Sequence, residues 1–148
     1  MAGERGNIVM DGTLISMRFS FIPLWDVDLV WPQAAPMLAK ALALQESFSI
    51  ESVYRGVKDG KFHLWLGDNV ALITEIQQFP LERICMVVLC GGRAMESWEE
   101  IIDATITRYA RTMGCAAMMI VGRRGWSKVY PEFHIDGYVM RKSLEHKS

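Results

Sequence analysis

Between Ile84 and Met140 the chain runs through an apolar segment, paired glycines, an amphipathic stretch, a second apolar segment and a basic glycine turn. Few folds accept that order. Residues 84–89 (ICMVVL) form a continuous apolar run, too short for a buried helix and rich enough in β-branched side chains for a strand covered on both faces. Residues 116–121 (AAMMIV) form a second such run, ending at Gly122. Between them Trp98, Ile101, Ile102, Thr105, Tyr109 and Met113 recur at helical spacing, and Gly114 follows as a stop. Two buried strands joined by one amphipathic helix predict a right-handed βαβ unit with neighbouring parallel strands.

The rest of the chain predicts an antiparallel surround. Residues 13–22 (TLISMRFSFI) alternate between Gly12 and Pro23 and suggest a first strand. Pro32 suits the first turn of a helix whose apolar face, Met37, Leu38, Ala41, Leu42 and Leu44, runs to about Gln45, with Pro36 complicating its start. Residues 49–56 suggest a second short helix capped by Ser49 and Ser52. Residues 62–66 (FHLWL), the turn Gly67-Asp68-Asn69 and residues 70–79 (VALITEIQQF) read as a hairpin that continues through Pro80 into the strand at Ile84. The expected order is β, α, α, β, β, β, α, β, α, β.

At 148 residues, 51% of them apolar, the chain suits one domain spanning residues 1–148 that buries its core without disulfides. Sixteen basic side chains against 17 acidic ones leave a net charge of −1, which argues against nucleic acid or an anionic membrane as partner. Residues 1–12 have no apolar core of a secretion signal, and no run reaches the roughly 20 apolar residues of a membrane span. Cys85, Cys90 and Cys115 lack CxxC spacing and read as core thiols of a reducing compartment; His63, His134 and His146 are scattered, so no metal site is expected.

The ICMVVLCGG strand, the helix after it, AAMMIVGRRGW and the closing HIDGYVMRKSL segment together resemble the GNAT acetyltransferase superfamily, and most closely the small GNAT-like proteins of tailed bacteriophages. The resemblance implies an α/β (α+β) fold: a mixed, mostly antiparallel sheet with a central parallel βαβ unit and flanking helices. It also implies acyl transfer from acetyl-CoA to a small-molecule or protein amine. In such proteins the two parallel strands splay and the coenzyme enters the gap. Its pantetheine would pair with the backbone of Val87, Val88 and Leu89, and its pyrophosphate would meet amides at Gly91 and Gly92 and at the start of the next helix.

Residues of this chain fit that scheme unevenly. The family loop is usually [QR]-x-x-G-x-[GA], whereas residues 90–97 read CGGRAMES, which no register reproduces in full. Ser97 and Glu100 match an S-x-x-E capping box, which would occupy helix-start amides otherwise free for phosphate, and Glu96, Glu99 and Glu100 would repel it. Arg93, Arg123 and Arg124 follow the ends of the two strands and, with Lys128, supply the opposing positive charge; a solvated face or a protein contact is their alternative use.

For chemistry, Glu75 is the candidate base, since a carboxylate between Ile73 and Ile76 is expected to titrate high. Tyr130 is the candidate acid, although in the family register its position falls on Lys128. Trp126 would border the cleft or a protein contact. The resemblance and the irregular loop lead to two expectations. One is a phage-encoded protein with a degenerate acetyl-CoA loop, acting with virion or assembly proteins in the host cytoplasm or the particle. The other is an active N-acetyltransferase.

Overall fold

A computed structural model describes residues 4–10, 13–43, 47–93, 97–120 and 142–144, with side chains from Arg18 onward. Among the described residues its centre is a sheet of six strands in sequential order: β1 (Glu4–Met10), β2 (Thr13–Phe21), β3 (His63–Gly67), β4 (Val70–Gln78), β5 (Arg83–Gly92) and β6 (Ala117–Ile120). Every neighbouring pair is antiparallel except β5 and β6. Those two run parallel, with Ile84 opposite Ala117 and Val87 opposite Ile120, and the helix α3 (Glu99–Thr112) joins them as the periodicity predicts.

Strand alternation divides the sheet into two apolar faces. Trp65, Val70, Leu72, Cys85 and Val87 pack against Trp98, Ile101, Ile102, Ile106 and Ala110 on the α3 side. On the other face Leu64, Leu66, Ala71, Ile73 and Leu89 meet α1 (Val27–Leu42) and α2 (Ile50–Lys58) through Ala34, Leu38, Val53 and Val57. The helices are tied to each other by Asp28 of α1, which accepts hydrogen bonds from Tyr54 Oη (2.6 Å) and Lys58 Nζ (3.0 Å) of α2.

Helix ends follow local chemistry. Ser49 Oγ accepts from the Ser52 amide at 3.1 Å while Ser52 Oγ accepts from the Ser49 amide at 2.9 Å, closing the cap expected for α2. After α3 the chain reverses at Gly114 (φ 76°). The Gly114 amide donates to the Arg111 carbonyl and the Cys115 amide to that of Ala110, a Schellman ending that only a residue at ease with positive φ completes cheaply.

Three expectations need correction. α1 starts at Val27, after a 3-10 turn at Leu24–Asp26, so Pro32 and Pro36 lie inside it. Both prolines sit on its exposed side, and burial of Val27, Ala34, Leu38 and Leu42 along the other side sustains the helix despite two missing donors. A further strand, β1, precedes the first expected one, and Asp11-Gly12 between Met10 and Thr13 was a readable hairpin signal. Gly91 and Gly92 are not a turn: β5 carries them in its ladder opposite Ala71 and Val70. The short helix and closing strand expected beyond Ile120 lie outside the described residues.

Candidate functional site

The site suggested by the sequence lies beside the parallel pair of β5 and β6. Within the described residues that pairing runs from Ile84 opposite Ala117 to Val87 opposite Ile120, and next to its last pair β5 carries a bulge. Opposite β5, Ile73 aligns with Leu89 but Thr74 with Val87, so Val88 is the extra residue. Side-chain placement agrees: Val87 packs toward α3, Val88 and Leu89 both pack toward α1 and α2, and Cys90 returns to the α3 side. A bulge increases local twist and bends the strand, here next to the last described pair of β5 and β6.

Beyond the bulge the ladder with β4 decides which way the backbone groups of β5 face. The Arg93 amide donates to the Asn69 carbonyl at 2.8 Å, which makes these two a bonded pair. By antiparallel alternation Leu89 and Gly91 also turn their amides and carbonyls to β4, whereas Cys90 and Gly92 turn theirs away from it. Of the strand residues expected to meet a pantetheine, Val87 pairs with Ile120, Val88 is the bulge residue, and Leu89 is engaged by β4.

The glycines serve close packing. A Cβ at Gly91 would run into the Met37 carbonyl oxygen of α1, and one at Gly92 into the Asn69 carbonyl oxygen. Backbone thus crowds both positions, and Gly91 is buried. The Arg93 side chain is exposed at the end of β5.

The start of α3 differs from the expected cap. Trp98 is the residue preceding the helix; its φ and ψ of −100° and −16° are already near-helical, and it gives no side-chain cap. Its buried indole instead lies over Gly67 and Val70. Glu99 and Glu100 fall in the first turn, where they complement the helix dipole and disfavour an anion.

Glu75 is half-buried on β4, opposite Met86 and two residues, about 7 Å of strand, from Ile73 at the bulge. It shares the α1/α2 side with Ile73, but Ile76 packs toward α3, so the carboxylate is not flanked by both isoleucines. Gln77 and Met86, joined by a 3.6 Å Nε2–Sδ contact, are its neighbours on the sheet face. Tyr130, Arg123, Arg124, Lys128 and Trp126 lie outside the described residues.

The thiols are set deep. Burial pushes Cys90 up to about 12, and burial together with the nearby Cys115 does the same to Cys85; thiols so protonated are poor nucleophiles at neutral pH. Among the described residues no three His, Cys, Asp or Glu side chains converge as a metal site would require, and no helix is long and apolar enough to cross a membrane.

No protein-family model and no curated protein matches the sequence. Solved structures do match it in fold. A probable acetyltransferase superposes with a TM-score of 0.65 at 15% identity, covering 89% of this chain and 99% of its own. The ribosomal-protein-alanine N-acetyltransferase of Brucella melitensis gives 0.62 at 15% identity, with 86% and 99% covered. A predicted acetyltransferase from Clostridium acetobutylicum, solved with acetyl-CoA, gives 0.59 at 13% identity, with 89% and 99% covered. The chain therefore has the fold of the GNAT acetyltransferases, mixed α/β with a mostly antiparallel sheet. At these identities the likeness is one of architecture.

Proposed function

We propose that the protein is an acetyl-CoA-dependent acyltransferase acting on an amine. One observation carries this reading: the chain superposes along most of its length on solved acetyltransferases, and in its parallel pair the strand β5 is bent by the Val88 bulge next to the last described pairing with β6. A strand edge beside such a bend would offer backbone donors and acceptors to an extended amide-bearing arm, and Cys90 and Gly92 turn theirs away from β4. Acetyl-CoA has such an arm in its pantetheine, and the Clostridium acetobutylicum neighbour was solved with acetyl-CoA. Glu75, on the α1/α2 side near the bulge, would take the proton of the attacking amine, directly or through a water. Arg93, with Arg123 and Arg124, would meet the phosphates, and Tyr130 would protonate the departing thiolate.

A second reading keeps the fold and drops the transfer: a binding or assembly role, with a bacteriophage particle as its setting. The engagement of Arg93 and Gly91 by β4 and the carboxylates in the first turn of α3 favour it, because they leave a poor phosphate loop. Calorimetric titration with acetyl-CoA separates the readings. Micromolar binding followed by saturable acetylation of an amine panel supports the enzyme. Absence of binding, with co-purification of the protein in particles, supports assembly.

A further inference from the structure

Away from the β5 bulge, His63 of β3 and Tyr109 of α3 meet across 46 positions of sequence. Tyr109 Oη and His63 Nδ1 are 2.8 Å apart, and the rings stand edge to face with centroids 6.1 Å apart. Phe21 packs on the imidazole at 5.8 Å and Trp65 on the phenol ring at 4.9 Å. Both polar side chains are half-buried in an otherwise apolar layer.

We propose that the His63–Tyr109 contact is an acid-sensitive clasp for α3: uptake of one proton by the imidazole loosens the C-terminal half of the helix from the sheet. A neutral imidazole can accept the phenolic proton, but a protonated ring has only donors. The Nδ1–H can then donate to the Tyr109 oxygen, but the phenolic proton loses its acceptor and a cation is placed in the layer. Among the described residues no carboxylate offsets that charge. The ionisable groups facing the pair are the thiols of Cys85 from β5 and Cys115 from the turn after α3; β2 and β4 bring Phe21 and Thr74. One turn to either side of Tyr109, α3 carries Thr105, Ile106, Thr112 and Met113. Burial accordingly holds the His63 pKa below its ordinary 6.5 and raises that of Tyr109 to about 12.

The sign follows from the depressed pKa. The opened state binds the proton first, so the clasp is intact above about pH 6.5 and weakens as pH falls through the folded-state pKa. Each pH unit of depression multiplies the opening equilibrium about tenfold once the ring is protonated.

The test is amide hydrogen exchange of residues 105–112 between pH 7.5 and 5, corrected for intrinsic rates, with an NMR titration of the His63 ring. We expect the wild-type opening constant obtained from exchange to rise with a midpoint at the measured His63 pKa, itself below 6.5, and that of His63→Gln to stay flat over that range. A His63 pKa at or above 6.5, or the same pH dependence in His63→Gln, overturns the proposal. Should His63→Gln fail to fold, the wild-type midpoint decides: coincidence with the His63 titration supports the clasp, and separation from it refutes it. None of these outcomes depends on acetyl-CoA.

Discussion

The main-chain carbonyl oxygen of Met37 in α1 occupies the space into which a side chain at Gly91 of β5 would project. The obstacle is backbone, so it cannot rotate aside as a flexible side chain would. Gly91→Ala should therefore displace α1 and cost about 1–3 kcal/mol, the usual range for overpacking. Urea unfolding measures it. A change within 0.5 kcal/mol, on the order expected of a neutral surface substitution, would mean that α1 yields easily at the end of β5.

Trp65 and Thr74 test the buried polar bond of the core. The indole Nε1 donates to Thr74 Oγ1 at 3.0 Å, and both residues are almost wholly buried. Thr74→Val keeps the shape and strands the donor, which should cost about 1–3 kcal/mol. Thr74→Ser retains the acceptor and should lose less than Thr74→Val in the same denaturation experiment; the reverse order would show that the methyl group, not the bond, matters.

Ile102 tests the helix face read from the sequence. It is 5% exposed and lies in the cluster between α3 and the sheet. Ile102→Ala should destabilise by about 2–4 kcal/mol, the lost burial plus the cavity left behind. Exposed Ala104 on the same helix offers a control position, where substitution by Lys should shift the unfolding midpoint little.

Alkaline pH should weaken the fold through the thiols. Cys85 and Cys90 are raised to about 12 from an ordinary 9.0, chiefly by burial. As pH rises past 9 the unfolded chain releases these protons while the native chain keeps them. Their contribution is thus whole below about pH 9 and declines from there toward pH 12. Unfolding midpoints at pH 8 and pH 10 should differ accordingly. Native protein at pH 8.5 should also react with a thiol reagent far more slowly than the urea-unfolded chain, and equal rates would place the thiols at the surface.

Glu75 tests the proposed chemistry. If it takes the amine proton, Glu75→Gln should lower kcat/KM by about 10²–10⁴-fold and leave acetyl-CoA affinity unchanged. Steady-state kinetics beside a calorimetric titration separates the two. A loss below tenfold would move the base elsewhere, and a loss of coenzyme binding would make Glu75 a residue of the coenzyme site.

Much of the architecture was legible because its signals are local. The runs at 84–89 and 117–120 fall in strands because continuous apolar side chains favour them, and α3 appears where Ile101, Ile102, Thr105 and Tyr109 recur at helical spacing. Gly114 ends that helix for the same local reason. The early start of α1 escaped the reading because Pro32 resembled a first-turn residue, yet the apolar period through Val27, Ala34 and Leu38 runs past it. β1 was less legible because Gly12 marks the start of β2 equally well whether or not a strand precedes it, and residues 4–7 (ERGN) carry no apolar alternation.

The candidate site was less legible because its geometry is relational. Gly91-Gly92 reads as a turn in isolation, and only the Met37 and Asn69 carbonyls, brought in from α1 and the β3–β4 turn, show that these glycines admit neighbouring backbone. No residue type announces the bulge at Val88, which exists because two strands of unequal count pair on both sides of it. The same holds for Glu75: adjacency to Ile76 in the chain means opposite sides of the sheet in the fold, since successive side chains alternate. Composition and periodicity were enough to specify which segments are strands and helices, because burial acts on each segment through its own pattern. Where β5 bulges, and which carbonyl fills the space beside a glycine, depended on contacts between segments far apart in the chain, and those came into being only with the folded sheet.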